Sequence, residues 1–321
     1  MKNENMELGS NMDKEINICL SCDNNYAKYA GVTITSIVYN ADKGDKYHFY
    51  ILDNGIKEDL KQQICSITDF PITFFQVQDE DFQIFKKITT HKYITIPTYF
   101  RLKIASYFPN LDKVIYLDCD TIINTSLSKL NNIDISGHLL AGVQDIKKSI
   151  VEQNPTYVNA GVLIFNLKKI REEHIENKFF EYTQQHLTEI VCGDQEIINA
   201  VCKGKIKLID PLWNVQTGSF INRSNFTKHP YIIHYVSKQK PWNFGSFSYN
   251  KHFYFKYLQK SPWALSKKDL RHWTLENNIV SMLKFAKEKP RFLLRSKWQH
   301  AFFHTYIKNN SFLKSIFGDK G

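Results

Sequence analysis

Short apolar runs alternate with amphipathic stretches from residue 16 onward. Residues 16–21 (Ile-Asn-Ile-Cys-Leu-Ser) and 113–117 (Lys-Val-Ile-Tyr-Leu) have the length and apolar density of buried strands. Residues 48–52 and 72–77 read as further strands. Residues 29–40, with Val32, Ile34, Ile37 and Val38, read as a helix. So do 57–67, with Leu60, Ile64 and Ile67 on one face, and 98–108. Strands spaced by helices predict a parallel α/β sheet. The second half is less regular: strands at 139–143, 158–165 and 231–235, and helices at 169–186 and 194–202. In such sheets ligands sit beyond the carboxyl ends of strands, which is where Asp23 and the Asp118-Cys119-Asp120 cluster fall.

The 321 residues are 43% hydrophobic and 23% charged, which excludes wholesale disorder. Residues 1–14 are polar and read as a flexible leader with no secretory signal. No apolar run reaches the ~18 residues of a membrane-spanning helix. Six cysteines in a chain of this length do not make a disulfide scaffold. The single Cys19-x-x-Cys22 lacks the second pair that zinc would need, so the thiols fit a reducing cytosol. Charge is uneven. Residues 262–321 carry 12 of the 42 Lys and Arg but only 4 of the 32 acids. This predicts a catalytic domain over 15–261 and a basic, aromatic helical region over 262–321. Within it, 290–308 reads as an amphipathic helix: Leu294, Trp298, Phe302 and Tyr306 recur every four residues beside Arg291, Arg295, Lys297 and Lys308. That composition fits an anionic membrane surface, or a face packed on protein. No nucleic-acid-binding motif accompanies it.

The strongest chemical signal is Val114-Ile115-Tyr116-Leu117-Asp118-Cys119-Asp120. Extended backbone points the two carboxylates the same way, and two such charges repel unless neutralised. A divalent cation does this, and oxygen ligands suit Mg²⁺ or Mn²⁺. The alternative is a strand end with two solvated aspartates. Asp23-Asn24-Asn25-Tyr26 follows the first strand and could read a nucleobase edge with Tyr26 stacked on it; its composition is equally that of a turn. Gly-rich phosphate loops are absent, so a bound nucleotide would need metal and basic side chains for its phosphates. His234 precedes Lys240 by six residues, close enough for one loop to bring both to a diphosphate. Asn159-Ala160-Gly161 leads an apolar strand. Gly193-Asp194-Gln195-Glu196 opens a helix, where Asp194 also suits an N-cap.

Together these pieces resemble glycosyltransferase family 8, in its bacterial lipopolysaccharide galactosyl- and glucosyltransferase branch. The resemblance spans roughly 16–245. It rests on Ser21-Cys22-Asp23-Asn24-Asn25-Tyr26-Ala27, Pro97-Thr98-Tyr99-Phe100-Arg101-Leu102, Tyr116-Leu117-Asp118-Cys119-Asp120, Asn159-Ala160-Gly161-Val162-Leu163, Gly193-Asp194-Gln195-Glu196, and His234 with Lys240-Pro241-Trp242. It implies a mixed-sheet GT-A fold, a UDP-sugar donor, Mn²⁺ and retention of anomeric configuration. By that similarity Asp118, Asp120 and His234 ligate the metal. Asp23, Asn25 and Tyr26 hold the uridine with Ile94 nearby, and Lys240 contacts the diphosphate. Arg101, Asp145, Asn159, Asp194 and Gln195 line the donor sugar, and Ser21, Cys119 and Ser237 complete the donor-contacting set. Ser237 stands where relatives often place Gly, which puts a close backbone approach to the diphosphate in doubt.

Of the two routes to retention, Gln195 near the anomeric carbon favours same-face attack, since an amide is a poor nucleophile. Asp194 is the alternative, as nucleophile of a double displacement. The implied acceptor is a lipid-linked oligosaccharide of the lipopolysaccharide core, at the inner face of the cytoplasmic membrane. The competing functional readings are a metal-dependent sugar-nucleotide hydrolase or nucleotidyltransferase, and a non-catalytic carbohydrate- or membrane-binding module.

Overall fold

The computed structural model describes residues 15–88, 95–217, 229–236, 240–246, 248 and 250–270. In chain order the elements are β1 (Ile16–Asp23), α1 (Ala27–Tyr39), β2 (Tyr47–Asn54), α2 (Glu58–Cys65) and β3 (Ile72–Gln76). Two 3₁₀ segments, Asp79–Lys87 and Ile96–Lys103, lead to α3 (Ile104–Tyr107), β4 (Lys113–Leu117), β5 (Thr121–Ile123), α4 (Ser128–Asn131), β6 (Leu140–Gln144) and α5 (Lys148–Val151). Then follow β7 (Val158–Asn166), α6 (Leu167–Glu172), α7 (Ile175–Gln185), α8 (Asp194–Val201), β8 (Ile206–Leu208), a 3₁₀ turn at Pro211–Asn214, β9 (Val215–Gln216), β10 (Ile232–His234) and α9 (Lys251–Leu258).

Among the described residues there are two sheets. The large one has the order β3-β2-β1-β4-β7-β6-β8, and the small one β5-β10-β9. The first four strands of the large sheet run parallel, as the alternation predicts. β7 departs from it, running antiparallel to both β4 and β6. Strands buried on both faces read as continuous apolar runs in either direction, so the pattern carries no sign of orientation. The resulting mixed sheet is the one the family resemblance implies.

β4 shows how the core is divided. Val114 and Tyr116 point to one face, packed with Phe100, Leu163 and Phe179. Ile115 and Leu117 point to the other, packed with Ile34, Ile37 and Val162. The sheet is thus covered on both sides, and α1 seals the second face. A third apolar group joins Val32 and Ile122 to Tyr254, Tyr257 and Leu258 of α9. Packing continues past residue 261: a Cβ on Gly31 would lie 2.2 Å from the Trp263 ring, and Leu270 is fully buried. The shift in charge at 262 is therefore not a break in the core. The amphipathic stretch 290–308 lies outside the described residues, as does the leader 1–14.

Two predicted helices take other forms. Residues 98–108 wind as 3₁₀ followed by the single turn of α3, because Pro97, Tyr99, Phe100, Arg101 and Leu102 are all buried and packing overrides propensity. Residues 169–186 divide into α6 and α7 at His174, whose φ is 53°. The break lets the two helices hold α3 and the turn after it: Arg171 donates to the carbonyls of Phe108 and Leu111, and Glu176 Oε1 accepts from the amides of Ala105 and Ser106 in α3.

Candidate active site

The large sheet delivers most of the chemistry to one edge. β4 ends at Leu117, and Asp118-Cys119-Asp120 forms a turn rather than the extended strand expected from the sequence. The Thr121 hydroxyl closes it on the Asp118 carbonyl at 2.9 Å. From α1, the Thr33 hydroxyl donates to the carbonyls of both Cys119 (3.1 Å) and Thr121 (2.8 Å). The carboxylates converge because of this pinned turn.

The small sheet brings the imidazole. β10 pairs with β5 so that His234 faces Thr121, and the Tyr235 amide donates to the Asp120 carbonyl at 3.0 Å. His234 is almost fully buried. Its Nε2 lies 3.1 Å from Asp120 Oδ1 and 3.6 Å from Asp118 Oδ2. One ligand atom from each of the three residues falls within 4.8 Å of the others. Gly161 makes this convergence fit, since a Cβ there would lie 2.1 Å from His234 Cε1 and 2.7 Å from Asp118 Oδ2.

Asp120 Oδ1 is buried and accepts no hydrogen bond despite the nearby imidazole nitrogen. An anionic oxygen shut off from water and from donors is costly unless a cation faces it. Two carboxylates and an imidazole form a donor set that suits a divalent metal. The residues therefore fit the cation that the sequence calls for. Burial alone would raise the Asp120 carboxyl, but the Lys240 ammonium bonded to it outweighs burial and holds the group below the usual carboxylate range. Lys240 Nζ is bonded to Asp120 Oδ2 and donates to the Tyr235 carbonyl at 2.7 Å.

The Arg101 guanidinium carbon lies over the Tyr116 ring, 4.2 Å from its centroid, and the side chain ties the two halves of the site. It donates to Asp118 Oδ1 (2.7 Å), the Ala160 carbonyl (2.6 Å) and the Thr98 carbonyl (2.9 Å). Burial opposes its charge, but Asp118 and Asp194 keep it protonated. Asp194 Oδ2 lies 3.1 Å from Arg101 Nε yet takes no hydrogen bond, because that N–H is turned to Thr98. Burial pushes the Asp194 carboxyl up to about 6, with Arg101 opposing and Asp118 adding to the rise. Gln195 sits between Asp145 and Asn159. Its Nε2 donates to Asp145 Oδ2 (3.0 Å), and its Oε1 accepts from Asn159 Nδ2 (3.0 Å) and the Ala160 amide (3.1 Å).

A cavity of about 400 Å³ collects these groups. Asp118, Asp120, His234, Lys240, Arg101, Asp145, Asn159, Asp194 and Gln195 all line it, as do Ser21, Asp23, Tyr26 and Cys119. Ser21 and Cys119 are already engaged: the Ser21 hydroxyl donates to the Pro97 carbonyl (2.6 Å), and the Cys119 thiol faces the Ser21 carbonyl (3.3 Å). Asp23 Oδ1 accepts from the amides of Asn25 and Tyr26, each at 3.0 Å, which fixes the entry to α1. Asn25 is exposed and does not line the cavity. Ile94 and Ser237 lie outside the described residues.

The sequence reading missed Gln216 and Asn214. Gln216 lines the cavity from β9, and Asn214 is buried beside it with bonds to both His234 and Asn159. A polar residue enclosed in Trp213-Asn214-Val215 is the available signal, since a buried amide needs partners.

The model of the glycosyl transferase family 8 matches residues 17–245. The chain belongs to that family. A Haemophilus influenzae protein named as a glycosyltransferase is 37% identical over 245 residues, 71% of this chain and 73% of its own. The lipopolysaccharide 1,3-galactosyltransferase of Salmonella typhimurium is 26% identical and covers 86% of each chain. Among solved structures, a galactosyltransferase, LgtC, in complex with donor and acceptor sugar analogs superposes with a TM-score of 0.68. It is 25% identical, over 80% of this chain and all of the other. The fold is GT-A, and this family 8 chain is a glycosyltransferase.

Proposed function

We propose that this transferase moves a hexose, glucose or galactose, from a UDP-sugar to an oligosaccharide of the lipopolysaccharide core, with retention and with Mn²⁺ as cofactor. The observation that carries the reading is the convergence of Asp118 Oδ2, Asp120 Oδ1 and His234 Nε2 beside Lys240 in the wall of the cavity. The named activity of the Salmonella relative supports the donor and acceptor classes.

Asp118, Asp120 and His234 would hold the metal. When bound, a divalent cation supplies Lewis-acid stabilisation of the diphosphate leaving group without a proton donor. Lys240 brings a second positive charge to the same place; removing such a partner typically costs ~3–4 kcal/mol of barrier. Tyr26 and Asp23 line the part of the cavity where the uridine would stack. Arg101, clamped by three acceptors, holds Asp118 in orientation.

On the sugar side, both polar atoms of the Gln195 amide are engaged by Asp145, Asn159 and the Ala160 amide. Gln195 therefore orients and does not attack. Asp194 is 4% exposed and its carboxylate lies 3.1 Å from Arg101 Nε. This supports same-face attack, in which the acceptor hydroxyl gives its proton to the departing phosphate. Attachment to an anionic inner membrane surface through the basic region 262–321 fits a lipid-linked acceptor. No helix among the described residues is long and apolar enough to cross a membrane.

The test is a panel of UDP-hexoses with Mn²⁺, scored by mass spectrometry on truncated core oligosaccharides. The expected result is acceptor-dependent transfer that EDTA abolishes. UDP release equal with and without acceptor would instead identify a hydrolase.

A further inference from the structure

The proposed cation site is held from outside by an amide chain that begins at a backbone donor. The Gly161 amide donates to Asn159 Oδ1 at 3.1 Å, which fixes which end of the Asn159 amide is oxygen. Asn159 Nδ2 accordingly points to Gln195 Oε1, an atom itself fixed by the Ala160 amide. Asn214 Nδ2 donates to the same Asn159 Oδ1 at 2.9 Å. Its other end, Oδ1, therefore faces His234 Nδ1 at 3.1 Å as an acceptor. Only a protonated Nδ1 satisfies that contact. Asp120 Oδ1 accepts no hydrogen bond from the facing Nε2, so the ring is the Nδ1–H tautomer and its Nε2 lone pair is left for the gap between Asp118 and Asp120. Asn214 is 2% exposed, so water cannot replace it as the partner.

From this we infer that Asn214 is a positioning residue that sets the tautomer and ring orientation of His234 for cation binding, an inference that rests on the metal reading above. Partners of this kind tune ligand basicity and direction, and losing one typically weakens metal affinity by 10–100-fold. The chain also joins the two halves of the cavity. Asn159 touches the Gln195 amide with one atom and Asn214 with another, so the imidazole and the sugar-facing amide are set by adjacent backbone donors, Ala160 and Gly161.

The test measures Mn²⁺ binding to the full chain without donor, by the electron paramagnetic resonance signal of free Mn²⁺, with His234→Ala as the floor. Asn214→Leu removes the acceptor and should weaken Mn²⁺ by 10–100-fold. Asn214→Asp keeps an oxygen acceptor for Nδ1–H but loses the donor to Asn159, and should bind Mn²⁺ as tightly as wild type or tighter. Affinity of Asn214→Leu within threefold of wild type would overturn the inference. So would equal losses in both variants, the mark of a merely structural residue. Circular dichroism qualifies each variant. If Asn214→Leu does not fold, Asn214→Asp alone decides: near-wild-type affinity upholds the inference and a tenfold loss overturns it. Absence of Mn²⁺ binding by wild type would overturn the metal reading itself and this inference with it, an outcome distinct from normal wild-type binding with an indifferent Asn214→Leu.

Discussion

Two sheets of very different size meet at the carboxylate–imidazole cluster, and they hold their side chains by different means. The large sheet brings Asp118 at the end of β4 and Asn159 on β7, strands that are buried on both faces and paired to each other along five residues. The small sheet brings His234 and Gln216 on strands of three and two residues. Strands that short cannot stand alone. Their position comes from bonds to the large sheet's own turn, through the Tyr235 amide and the Asp120 carbonyl, and from the Asn214 amide. One half of the site is therefore built by local sequence and the other by tertiary contact. The first should survive loss of its polar groups as a fold, and the second should be sensitive to small displacements.

The strongest test of the first half is Asp120→Ala. Transfer should fall by at least a few hundredfold, since the change removes both a ligand of the proposed cation and the counter-charge of Lys240. Circular dichroism should be unchanged, because β4 and β7 pair upstream of the turn. Near-wild-type turnover would remove Asp120 from the metal site.

Asp194 separates stability from function in the same half. Its carboxyl is pushed up to about 6 by burial, so the folded protein favours the neutral form. Between about pH 4 and pH 6 the folded state binds more protons than the unfolded one, and wild-type stability should decline as pH rises through that window. Relative to an ordinary aspartate the gap corresponds to ~3 kcal/mol. In EDTA, Asp194→Asn should therefore gain on wild type in denaturant melts as pH goes from 4 to 7, while losing transfer activity. A stability difference that is flat over this range would show that Arg101 neutralises Asp194 fully.

These contrasts also explain what could be read from the chain. β4 is legible because Val114-Ile115-Tyr116-Leu117 is an unbroken apolar run ending in two acids, and Asp118, Asp120 and His234 do come together. The direction of β7 is not legible, because a strand buried on both sides has the same pattern either way up. β5 and β9 are too short for any periodicity. Asn214 is only half legible: its apolar neighbours Trp213 and Val215 hint at a buried amide, but its partners, Asn159 and His234, lie 55 and 20 residues away, so the sequence does not show what it serves. Extended backbone would also point Asp118 and Asp120 the same way; in the turn found there, the carboxylates converge because Thr33 and Thr121 fold the backbone.

Gly161 lies at the seam between the sheets and tests the second half. A methyl there would press on His234 Cε1 and Asp118 Oδ2 at 2.1 and 2.7 Å. Overpacking of this kind costs ~1–3 kcal/mol in stability. In Gly161→Ala the imidazole must move, so Mn²⁺ affinity should drop by more than the melting temperature alone accounts for. Unchanged affinity in calorimetry would mean that the small sheet yields as a unit and carries His234 with it.

The smallest expected effect is that of Thr33→Val, which probes the support shared by both sheets. The Thr33 hydroxyl is fully buried in α1 and reaches two carbonyls of the Asp118–Thr121 segment at once. Valine preserves the shape and deletes the donor. The Thr121 carbonyl and the Cys119 carbonyl would lose a partner in a dry environment, at a cost of ~1–3 kcal/mol. The β4–β7 pairing does not involve this hydroxyl, so far-ultraviolet dichroism should be unaltered. Because the same turn holds Asp120 on the large sheet and pairs with His234 on the small one, a loosened backbone there should raise the KM for donor at fixed Mn²⁺ more than it lowers kcat. A change in kcat alone would place the support elsewhere, in the Ser36 hydroxyl that accepts from the Ile123 amide at 2.9 Å.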